Sequence, residues 1–355
     1  MHLVLPLGGR GTRLLPHTRT RPKCLLRLAG DTVLGHVLAR LAGLSFERTT
    51  VIVSPDGGAV ASWLQQSLAR GAGQHRGFRP GTLAFVLQEL PLGQSQALAL
   101  AADGLVGETL IVFADTLFEV NWADVVDDRD GLDGHLFAQR VADPRALGVA
   151  LLREDGTVAS LVEKPSEPVS DLALLGLYHL RDGAALARAV RAQLAAGSTL
   201  GGEAYLADAL NLLIQGGTRL GLLPTEVWED CGQPAEVIHA QRHLLEAAWR
   251  GDELPGGPDW LREPADLLTA FPDCRFLPPV AVAPDAELSG SVIGPGVVIG
   301  PGARIADSVL GPDVLVEGGA VVEHSLLGPF VSIGAESSCL GARLTGAGFG
   351  GCTVN

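Results

Sequence analysis

Short apolar runs alternate with segments of helical periodicity between positions 1 and 230 of the chain. The apolar runs predict buried strands, and the spacing between them is typical of helices. The predicted strands are residues 3–7, 50–53, 83–87 and 110–114. The predicted helices are residues 32–41, 59–68 and 95–102. This alternation indicates βαβ units around a mostly parallel sheet that helices cover on both faces.

The next apolar segments follow one another through short turns, which predicts an added mixed or antiparallel part of the sheet. These segments are residues 149–153, 158–162 and 172–180. Helical spacing returns at residues 184–194, 205–214 and 234–250. Prolines and glycines then mark residues 251–273 as a linker. We therefore expect an α/β domain over residues 1–250, with a Rossmann-like, mixed and mostly parallel sheet sandwiched by helices.

The C-terminal part repeats in blocks of equal length. Residues 291–307, 308–324 and 325–341 each open with serine, two aliphatic residues, glycine and proline. Apolar residues then recur in steps of six, six and five. The recurring positions are Ile293, Ile299 and Ile305, then Leu310, Val316 and Val322, then Leu327, Ile333 and Cys339, with an earlier block at Phe276, Val282 and Leu288.

Three short strands per repeat, each with one inward aliphatic side chain, make a triangular coil. One coil cannot bury its apolar positions alone, so such coils stack into a parallel β-helix. The spacing resembles that of left-handed hexapeptide-repeat proteins. We expect a left-handed parallel β-helix over residues 274–341 and a glycine-rich tail over residues 342–355. The tail resembles a galactokinase motif, but the Ser-rich loop of such kinases is missing, which leaves a fusion remnant and a convergent tail as alternatives.

Composition indicates a folded protein with an excess of acidic residues. Hydrophobic residues make up 47% of the 355 residues, charged residues 19%, and the net charge is −14. A nucleic acid needs a basic face, so none is expected as a partner. No apolar run approaches the ~20 residues of a membrane span, and the N-terminus lacks the basic region of a signal peptide. The five scattered cysteines form no C-x-x-C pair, so we expect neither a zinc site nor a disulfide framework. We therefore expect the protein to be cytoplasmic.

Lysine is scarce in this chain, because only Lys23 and Lys164 among its 26 basic residues are lysines. Codon bias and chance can explain either residue alone. Lysine differs from arginine in carrying a compact point charge on a flexible stem, which suits a crowded phosphate site. Both lysines lie in contexts typical of phosphate binding, so we interpret them as phosphate ligands.

A glycine-rich loop follows the first predicted strand. Residues 8–11 read Gly-Gly-Arg-Gly, and glycines there let backbone N–H groups approach a polyphosphate closely. Arg10, Arg13 and Lys23 can neutralise its charge. The loop is not a dinucleotide fingerprint, because Leu14 stands at the third glycine position. Nor is it a Walker A motif, because no Gly-Lys-Ser/Thr follows.

This loop and its continuation resemble the signature of the sugar-1-phosphate nucleotidylyltransferases, the nucleotide-sugar pyrophosphorylases. The matching residues are Gly8, Gly9, Gly11, Thr12, Arg13, Leu14, Pro16, Thr18, Pro22 and Lys23. Further landmarks follow in that family's order at residues 88–93, Asp115, Gly148, residues 163–165, Gly176 with Tyr178, residues 202–203 and residues 228–232. The resemblance covers residues 1–250. A C-terminal β-helix accompanies the long forms of the family, and this chain resembles those of the glucose-1-phosphate thymidylyltransferase type.

The resemblance implies transfer of a nucleotidyl group from a nucleoside triphosphate to a sugar 1-phosphate, with release of pyrophosphate and Mg²⁺ as cofactor. The nucleotide would contact Leu7, Gly8, Gly9, Gly11, Thr12, Gln88 and Gly93. The sugar phosphate would contact Gly148, Glu163, Lys164, Gly176 and Tyr178. In catalysis the phosphate charge would be neutralised by Arg13, Lys23 and Lys164. Asp115 and Asp230 would hold the metal; without the motif order they would be interpreted as a capping residue and a surface acid.

The chain departs from the family pattern at two places. Asp115 lies in Ala-Asp-Thr, where the family often has Gly-Asp-Asn. Residues 94–96 read Gln-Ser-Gln, where small or aliphatic residues are usual. Both departures bear on nucleotide choice. Gln88 with residues 91–93 favours dTTP or UTP with glucose 1-phosphate over GTP with mannose 1-phosphate.

Two rival hypotheses remain open. One is a non-catalytic relative that senses sugar nucleotides or acts as a scaffold, although such proteins usually lose a metal carboxylate or a phosphate lysine. The other is a bifunctional enzyme whose β-helix also transfers acyl groups, with His324 as general base. An exposed turn residue is the plainer interpretation of His324. A β-helix that serves assembly would make the protein a homo-oligomer.

Overall fold

The computed structural model describes residues 1–9, 11–14, 18, 22–28, 31–69, 77–126, 131–197, 199–225, 228–232, 236–237, 239–240, 243–244 and 264–344. The chain divides into two compact units. The first unit comprises Met1–Arg10 and Val37–Trp228, and the second comprises Gly11–His36 and Glu229–Asn355.

The strands up to residue 230 are β1 (His2–Pro6), β2 (Arg27–Leu28), β3 (Asp31–Thr32), β4 (Arg48–Val53), β5 (Thr82–Leu87), β6 (Thr109–Val112), β7 (Thr116–Phe118), β8 (Gly134–Arg140), β9 (Gly148–Leu152), β10 (Val158–Glu163), β11 (Leu172–Leu180), β12 (Leu220–Pro224) and β13 (Trp228–Asp230). The helices are α1 (Val33–Arg40), α2 (Gly58–Ala69), α3 (Gln94–Leu100), α4 (Trp122–Val126), α5 (Gly183–Ala196), α6 (Leu206–Gln215) and α7 (Pro264–Ala270). Single 3₁₀ turns form at Thr12–Leu14, Lys23–Leu25 and Ala102–Gly104.

One nine-stranded sheet forms the centre of the first unit. Its order is β10-β9-β11-β6-β1-β4-β5, with β8 paired to β11 and β12 paired to β8. β1 pairs in parallel with β4 and β6, and β4 with β5. β11 runs antiparallel to β6, β8 and β9, and β9 runs antiparallel to β10. The predicted α/β class, with its added antiparallel part, is confirmed.

Two strands of this sheet are missing from the sequence prediction. The apolar run of β8 is short because His135, Gln139 and Arg140 flank it. Strand β12 contains Gly221 and ends at Pro224, and both residue types are depleted in strands. Pairing of β8 with β11 and of β12 with β8 supplies the stabilisation that local propensity lacks.

The central strands are apolar on both faces because helices cover the sheet. Residues 3–5 of β1 and 110–112 of β6 are completely buried. Helix α5 begins after Asp182, whose carboxylate accepts a hydrogen bond from the N–H of Ala185 at 3.0 Å. It ends at Ala196, and Gly197 follows with a φ of 70° that closes the last turn.

Parallel strands bring their carboxyl ends to one edge of the sheet. Leu7 follows β1, Gln88 follows β5, and Asp115 lies shortly after β6. In α/β sheets, ligands bind in the crevice outside this edge. The predicted phosphate loop, base-binding residue and metal ligand therefore lie where such a fold places its chemistry.

The coils of the second unit contain thirteen short strands. They are β14 (Arg275–Phe276), β15 (Val280–Val282), β16 (Glu287–Ser289), β17 (Val292–Ile293), β18 (Val297–Ile299), β19 (Arg304–Ala306), β20 (Val309–Leu310), β21 (Leu315–Val316), β22 (Val321–Glu323), β23 (Leu326–Leu327), β24 (Ser332–Ile333), β25 (Ser338–Leu340) and β26 (Arg343–Leu344). Parallel pairing arranges them in three sheets, β14-β17-β20-β23-β26, β15-β18-β21-β24 and β16-β19-β22-β25. Ile293 pairs with Leu310 and Leu310 with Leu327, so the register between coils is one whole repeat. The predicted parallel β-helix is confirmed.

Each coil turns at three corners, where a residue of positive φ stands. The three columns are Gly290, Asp307, His324 and Gly341, then Gly296, Asp313 and Phe330, then Gly302, Gly319 and Glu336. Their φ values lie between 47° and 75°, a region that favours glycine. Hydrogen bonds between coils hold the non-glycine corners in place, as where the N–H of His324 donates to the carbonyl of Ala306 at 3.0 Å.

The serine that opens each repeat joins successive coils. The Oγ atom of Ser291 accepts a hydrogen bond from the N–H of Ser308 at 3.0 Å, and that of Ser308 from the N–H of Ser325 at 3.0 Å. The Oγ atom of Ser325 accepts from the N–H of Ala342 at 3.1 Å. All three serines are buried. The ladder satisfies buried backbone N–H groups directly after a corner of each coil, which explains why serine recurs there.

Some predicted segments lie outside the described residues. They include most of the predicted helix 234–250, residues 251–263 of the predicted linker and residues 345–355 of the predicted tail. In the described part of the linker, α7 forms, and its Leu267 belongs to the apolar core of the coils. The domain boundaries stay predictions. Among the described residues, no helix combines the length and the apolar character needed to cross a bilayer.

Candidate active site

The loop after β1 packs directly against Gln88. The N–H of Leu7 donates to the carbonyl of Ile52 at 2.7 Å, which extends the pairing of β1 with β4. A Cβ atom on Gly8 would lie 2.4 Å from Oε1 of Gln88, so a larger residue at position 8 would displace the end of that side chain. A Cβ atom on Gly9 would meet none of the described residues within 4 Å, and Gly9 is exposed.

The segment predicted to bind the base is joined by hydrogen bonds to the loop that precedes α6. Gly93 has a φ of 108°, and a Cβ atom there would lie 2.4 Å from the backbone nitrogen of Ala204. The N–H of Ala204 donates to the carbonyl of Leu92, and the N–H of Ser95 donates to the carbonyl of Ala204, both at 2.9 Å. Gly93 is thus required by its φ and by this close backbone approach.

The side chain of Gln88 is buried and oriented by a second amide. Its Nε2 atom donates a hydrogen bond to Oε1 of Gln96 at 2.6 Å. Gln96 belongs to the Gln-Ser-Gln run in which the chain departs from the family pattern. The departure therefore has a structural effect, since it determines which end of the Gln88 amide is engaged.

A backbone irregularity places Tyr178 beside the end of β6. Gly176 has a φ of 71°, and its carbonyl accepts a hydrogen bond from the N–H of Phe113 at 2.9 Å. The register of β11 against β8 shifts at this point, between Leu174 and Tyr178. The ring of Phe113 packs edge-on against that of Tyr178, with centroids 6.3 Å apart.

The charges of two of the predicted acids act on Tyr178. Burial raises its pKa above the ordinary range, and the charges of Glu163 and Asp115 raise it further. Tyr178 is therefore a neutral hydroxyl group at physiological pH. Asp115 is half-buried, with Oδ1 3.4 Å from the hydroxyl of Thr116. The predicted sugar ligand Glu163 and the predicted metal ligand Asp115 both lie within electrostatic reach of one buried tyrosine.

Gly148 leaves room for the carboxylate of Glu163. The two residues are partners across β9 and β10, and a Cβ atom on Gly148 would lie 2.8 Å from Oε2 of Glu163. Burial raises the pKa of Glu163; the charge of Lys164 lowers it, while Asp208 and Glu203 raise it. The part of the site predicted to bind the sugar is thus rich in carboxylates, with Lys164 as the adjacent cation.

Lys164 contacts a residue that the sequence analysis did not assign to the site. Its Nζ atom donates to the hydroxyl of Tyr205 at 2.5 Å and lies 4.5 Å from the centroid of the Tyr205 ring. The Tyr205 hydroxyl in turn donates to Oε2 of Glu203 at 2.8 Å. The chain has only two tyrosines, Tyr178 and Tyr205, and both lie here. That scarcity is the signal that could have identified Tyr205.

Asn211 anchors α6 against β10. Its Oδ1 atom accepts from the N–H of Leu161 and its Nδ2 atom donates to the carbonyl of Leu161, both at 2.8 Å. This amide holds the first turn of α6, with Asp208, beside Glu163. Asp208 is the third acid in the part of the site predicted to bind the sugar, after Glu163 and Glu203, and no sequence pattern predicted it.

The remaining candidate residues belong to the second unit. A Cβ atom on Gly11 (φ 60°) would lie 2.9 Å from Cγ2 of Thr18 and 3.1 Å from Cβ of Lys23, so this turn brings the three residues together. Thr12 and Arg13 are exposed. Asp230 lies in β13. The functional roles of Gly11, Thr12, Arg13, Lys23 and Asp230 stay predictions.

His324 stands at an exposed corner of the coils. Its Nδ1 atom lies 3.7 Å from Oδ2 of Asp307, the residue one coil earlier. Its side chain is 70% exposed. The turn-residue interpretation and the general-base interpretation of His324 both stay predictions.

Comparisons with known proteins show which proteins this chain is similar to. Residues 3–247 match the family described as "Nucleotidyl transferase". Glucose-1-phosphate thymidylyltransferase of Streptomyces antibioticus is 30% identical over 308 residues, which cover 83% of this chain and 81% of that protein. Bifunctional protein GlmU of Methanococcus maripaludis is 27% identical over 247 residues, 69% of this chain and 54% of that protein.

A solved structure from Bacillus anthracis shows the fold. It is described as a glucose-1-phosphate thymidylyltransferase in complex with sucrose and superimposes with a TM-score of 0.57. The match is 23% identical and covers 68% of this chain and 94% of that one.

Proposed function

The chain belongs to the nucleotidyl transferase family, and on that premise we propose that it joins dTTP or UTP to glucose 1-phosphate. A phosphate oxygen of the sugar phosphate would attack the α-phosphorus of the nucleotide, and the bond from that phosphorus to pyrophosphate would break. The products would be the nucleoside diphosphate sugar and pyrophosphate. Because the attacking oxygen is already ionised near pH 7, the reaction requires no general base from the protein.

The observation that carries the proposal is the convergence on Tyr178. Glu163 and Asp115 both act on its pKa, and Lys164 is adjacent to Glu163 in the chain. A carboxylate accepts hydrogen bonds from sugar hydroxyls, and an ammonium group binds phosphate. A sugar at Glu163 with its phosphate at Lys164 would thus reach towards the edge of the sheet at Asp115.

The amide of Gln88 supports a base that carries an N–H group. Its Nε2 atom is engaged by Gln96, so Oε1 is the end suited to a donor on the ligand. Thymine and uracil present N3–H, whereas cytosine and adenine present ring acceptors at the corresponding position. Guanine also presents an N–H donor, so GTP belongs among the nucleotides tested.

Mg²⁺ is the proposed metal. Mg²⁺ binds through one or two carboxylates together with substrate phosphates, and a half-buried aspartate at the carboxyl edge of the sheet suits that mode. Asp115 would hold it, with Asp230 as the second predicted ligand. When bound, Mg²⁺ would neutralise phosphate charge. We further propose a cytoplasmic homo-oligomer, on the basis of the cysteine pattern and the assembly role expected of the coils.

A substrate matrix tests the proposal. Purified protein with Mg²⁺ is incubated with dTTP, UTP, GTP, CTP or ATP, each with several sugar 1-phosphates, and pyrophosphate is measured. We expect the highest kcat/KM for dTTP or UTP with glucose 1-phosphate. Silence for every pair would favour the non-catalytic rival. Acetyl-CoA turnover by the wild type but not by His324→Ala would establish the bifunctional alternative.

A further inference from the structure

We propose that Tyr205 is a positioning residue that fixes the ammonium group of Lys164 for the sugar phosphate. The proposal rests on the proposed function, since it concerns the same site. Tyr205 acts on Lys164 in two ways at once. Its hydroxyl accepts a hydrogen bond from Nζ at 2.5 Å, and its ring centroid lies 4.5 Å from the same atom. A cation over an aromatic ring is attracted by the ring's quadrupole.

Tyr205 is itself held rigidly. Its hydroxyl donates to Oε2 of Glu203 at 2.8 Å, so its lone pairs are directed to Lys164. Its backbone carbonyl accepts from Oγ of Ser95 at 3.1 Å and from Nε2 of Gln193 at 2.9 Å. The residue is buried. A rigidly held Tyr205 restricts the long, flexible side chain of Lys164 before the ligand binds. The ligand then loses less binding free energy to the ordering of that side chain.

The contact leaves Lys164 able to bind an anion. An ammonium group has three donors, and Tyr205 takes one of them. Among the described residues, the hydrogen bond to Tyr205 is the one that Nζ makes, so the other two donors remain for phosphate oxygens. Burial and the charge of Glu203 raise the pKa of Tyr205, while its contacts with Lys164 lower it, and the balance lies above the ordinary value. The hydroxyl therefore stays protonated at neutral pH and keeps both of its hydrogen bonds.

Steady-state kinetics provide the first test. Tyr205→Phe keeps the ring and removes the hydroxyl, and Tyr205→Leu removes both. We expect Tyr205→Phe to raise KM for glucose 1-phosphate about 10-fold, the size of one lost charge-assisted hydrogen bond, and Tyr205→Leu to raise it further. The KM for dTTP should stay within about two-fold of the wild-type value, because in this proposal Lys164 binds the sugar phosphate and not the nucleotide. An unchanged KM for glucose 1-phosphate, or equal losses for both substrates, would overturn the proposal.

A double-mutant cycle separates positioning from a direct role. If Tyr205 acts through Lys164, then Tyr205→Phe should change kcat/KM by less than about two-fold in a Lys164→Met background. Independent effects that multiply in the double variant would show that Tyr205 acts on its own.

A spectroscopic test does not depend on turnover. Lysine labelled with ¹³C and ¹⁵N gives signals from only two residues, Lys23 and Lys164. Lys164→Met assigns them by removing one. The Cε signals of Lys164 should carry a ring-current shift that Tyr205→Phe keeps and Tyr205→Leu abolishes; identical spectra would overturn the contact. Wild-type protein that is silent in the substrate matrix would overturn the proposed function, and the labelled spectrum would still decide whether Tyr205 holds Lys164.

Discussion

Non-glycine residues of positive φ occur in both units, but their surroundings differ. In the described part of the first unit, Lys164 (φ 45°) is the single example, and its side chain reaches Tyr205. In the second unit, Asp307 and His324 stand at the same corner of two successive coils. Strain that recurs at a fixed spacing serves the fold, whereas strain at one place beside charged groups indicates a functional site.

Buried polar groups show the same difference. In the coils, Ser291 and Ser308 accept hydrogen bonds from the backbone of the next coil. In the first unit, burial raises the pKa of Glu163 and Tyr178, and neighbouring acids add to the shift. Perturbed pKa values cluster at functional sites. We therefore expect mutations in the first unit to change catalysis and mutations in the coils to change stability.

The largest expected effect is that of Asp115→Ala. The variant removes the carboxylate after β6 where Mg²⁺ would be held, so turnover should fall by more than about 1,000-fold with the fold intact. Pyrophosphate release and circular dichroism measure the two quantities. Asp307→Asn is the matched control in the coils, since asparagine tolerates positive φ, and it should keep the wild-type rate. Wild-type turnover by Asp115→Ala would remove the metal assignment.

The second prediction concerns the core of the coils. Ile299 is fully buried, so Ile299→Ala should lower the free energy of unfolding by about 3 kcal/mol without changing either KM. Urea denaturation and steady-state kinetics measure these effects. Val292 is 38% exposed, and Val292→Ala should cost less than about 0.5 kcal/mol. A changed KM in folded Ile299→Ala would mean that the coils take part in substrate binding.

A smaller loss is expected when the serine ladder is interrupted. Ser308→Ala leaves the buried N–H of Ser325 without its acceptor, which should cost about 1–2 kcal/mol of unfolding free energy. Ser338→Ala at an exposed position of β25 is the control and should be neutral. Thermal unfolding compares the two variants. Equal melting temperatures would show that the ladder contributes nothing.

The smallest effect is a pH dependence. The pKa of Glu163 is raised by burial, so the folded state binds this proton more tightly than the unfolded state. The stability that the protonated form of Glu163 contributes is fully present below its ordinary pKa of 4.5. It is lost as the pH rises through the folded-state pKa. Glu163→Gln cannot ionise, so its Tm relative to wild type should increase by about 1–2 °C from pH 4 to pH 7.

Asp143 supplies a control of opposite sign for that measurement. Hydrogen bonds from Arg145 lower its pKa to about 2, so ionisation favours the folded state. Asp143→Asn should therefore lower Tm slightly at neutral pH, with the difference shrinking as pH falls towards that value; the pair is fully exposed, so the effect is small. The same sign for both variants would contradict the cause assigned to the Glu163 shift.

The sequence predicted the coils more completely than the active site, for a physical reason. Strand register in stacked coils depends on which residues are apolar, so the regular spacing of Ile293, Leu310 and Leu327 already specifies their pairing. The central strands of the sheet were predictable for the same reason, because helices bury them on both faces. β8 and β12 were not, since pairing rather than composition holds them.

The contacts within the site carry no local pattern. Lys164 and Tyr205 are 41 residues apart, and although the scarcity of tyrosine marks Tyr205, this spacing does not predict that the two side chains meet. The role of Gly176 depends on a φ of 71° and a register shift in β11, which a sequence does not display. Resemblance identified the candidate residues and the landmark that contains Glu203, but geometry was needed to find Tyr205 and Asp208.

The fixed register of the coils restricts how this protein can change in length. An insertion of one whole repeat would add a complete turn of the prism and lengthen it by about 4.8 Å, one strand spacing. An insertion of any other size would move aliphatic side chains out of the interior and the serines off their column. The length of the C-terminal part should therefore change, in evolution or in redesign, only by whole repeats.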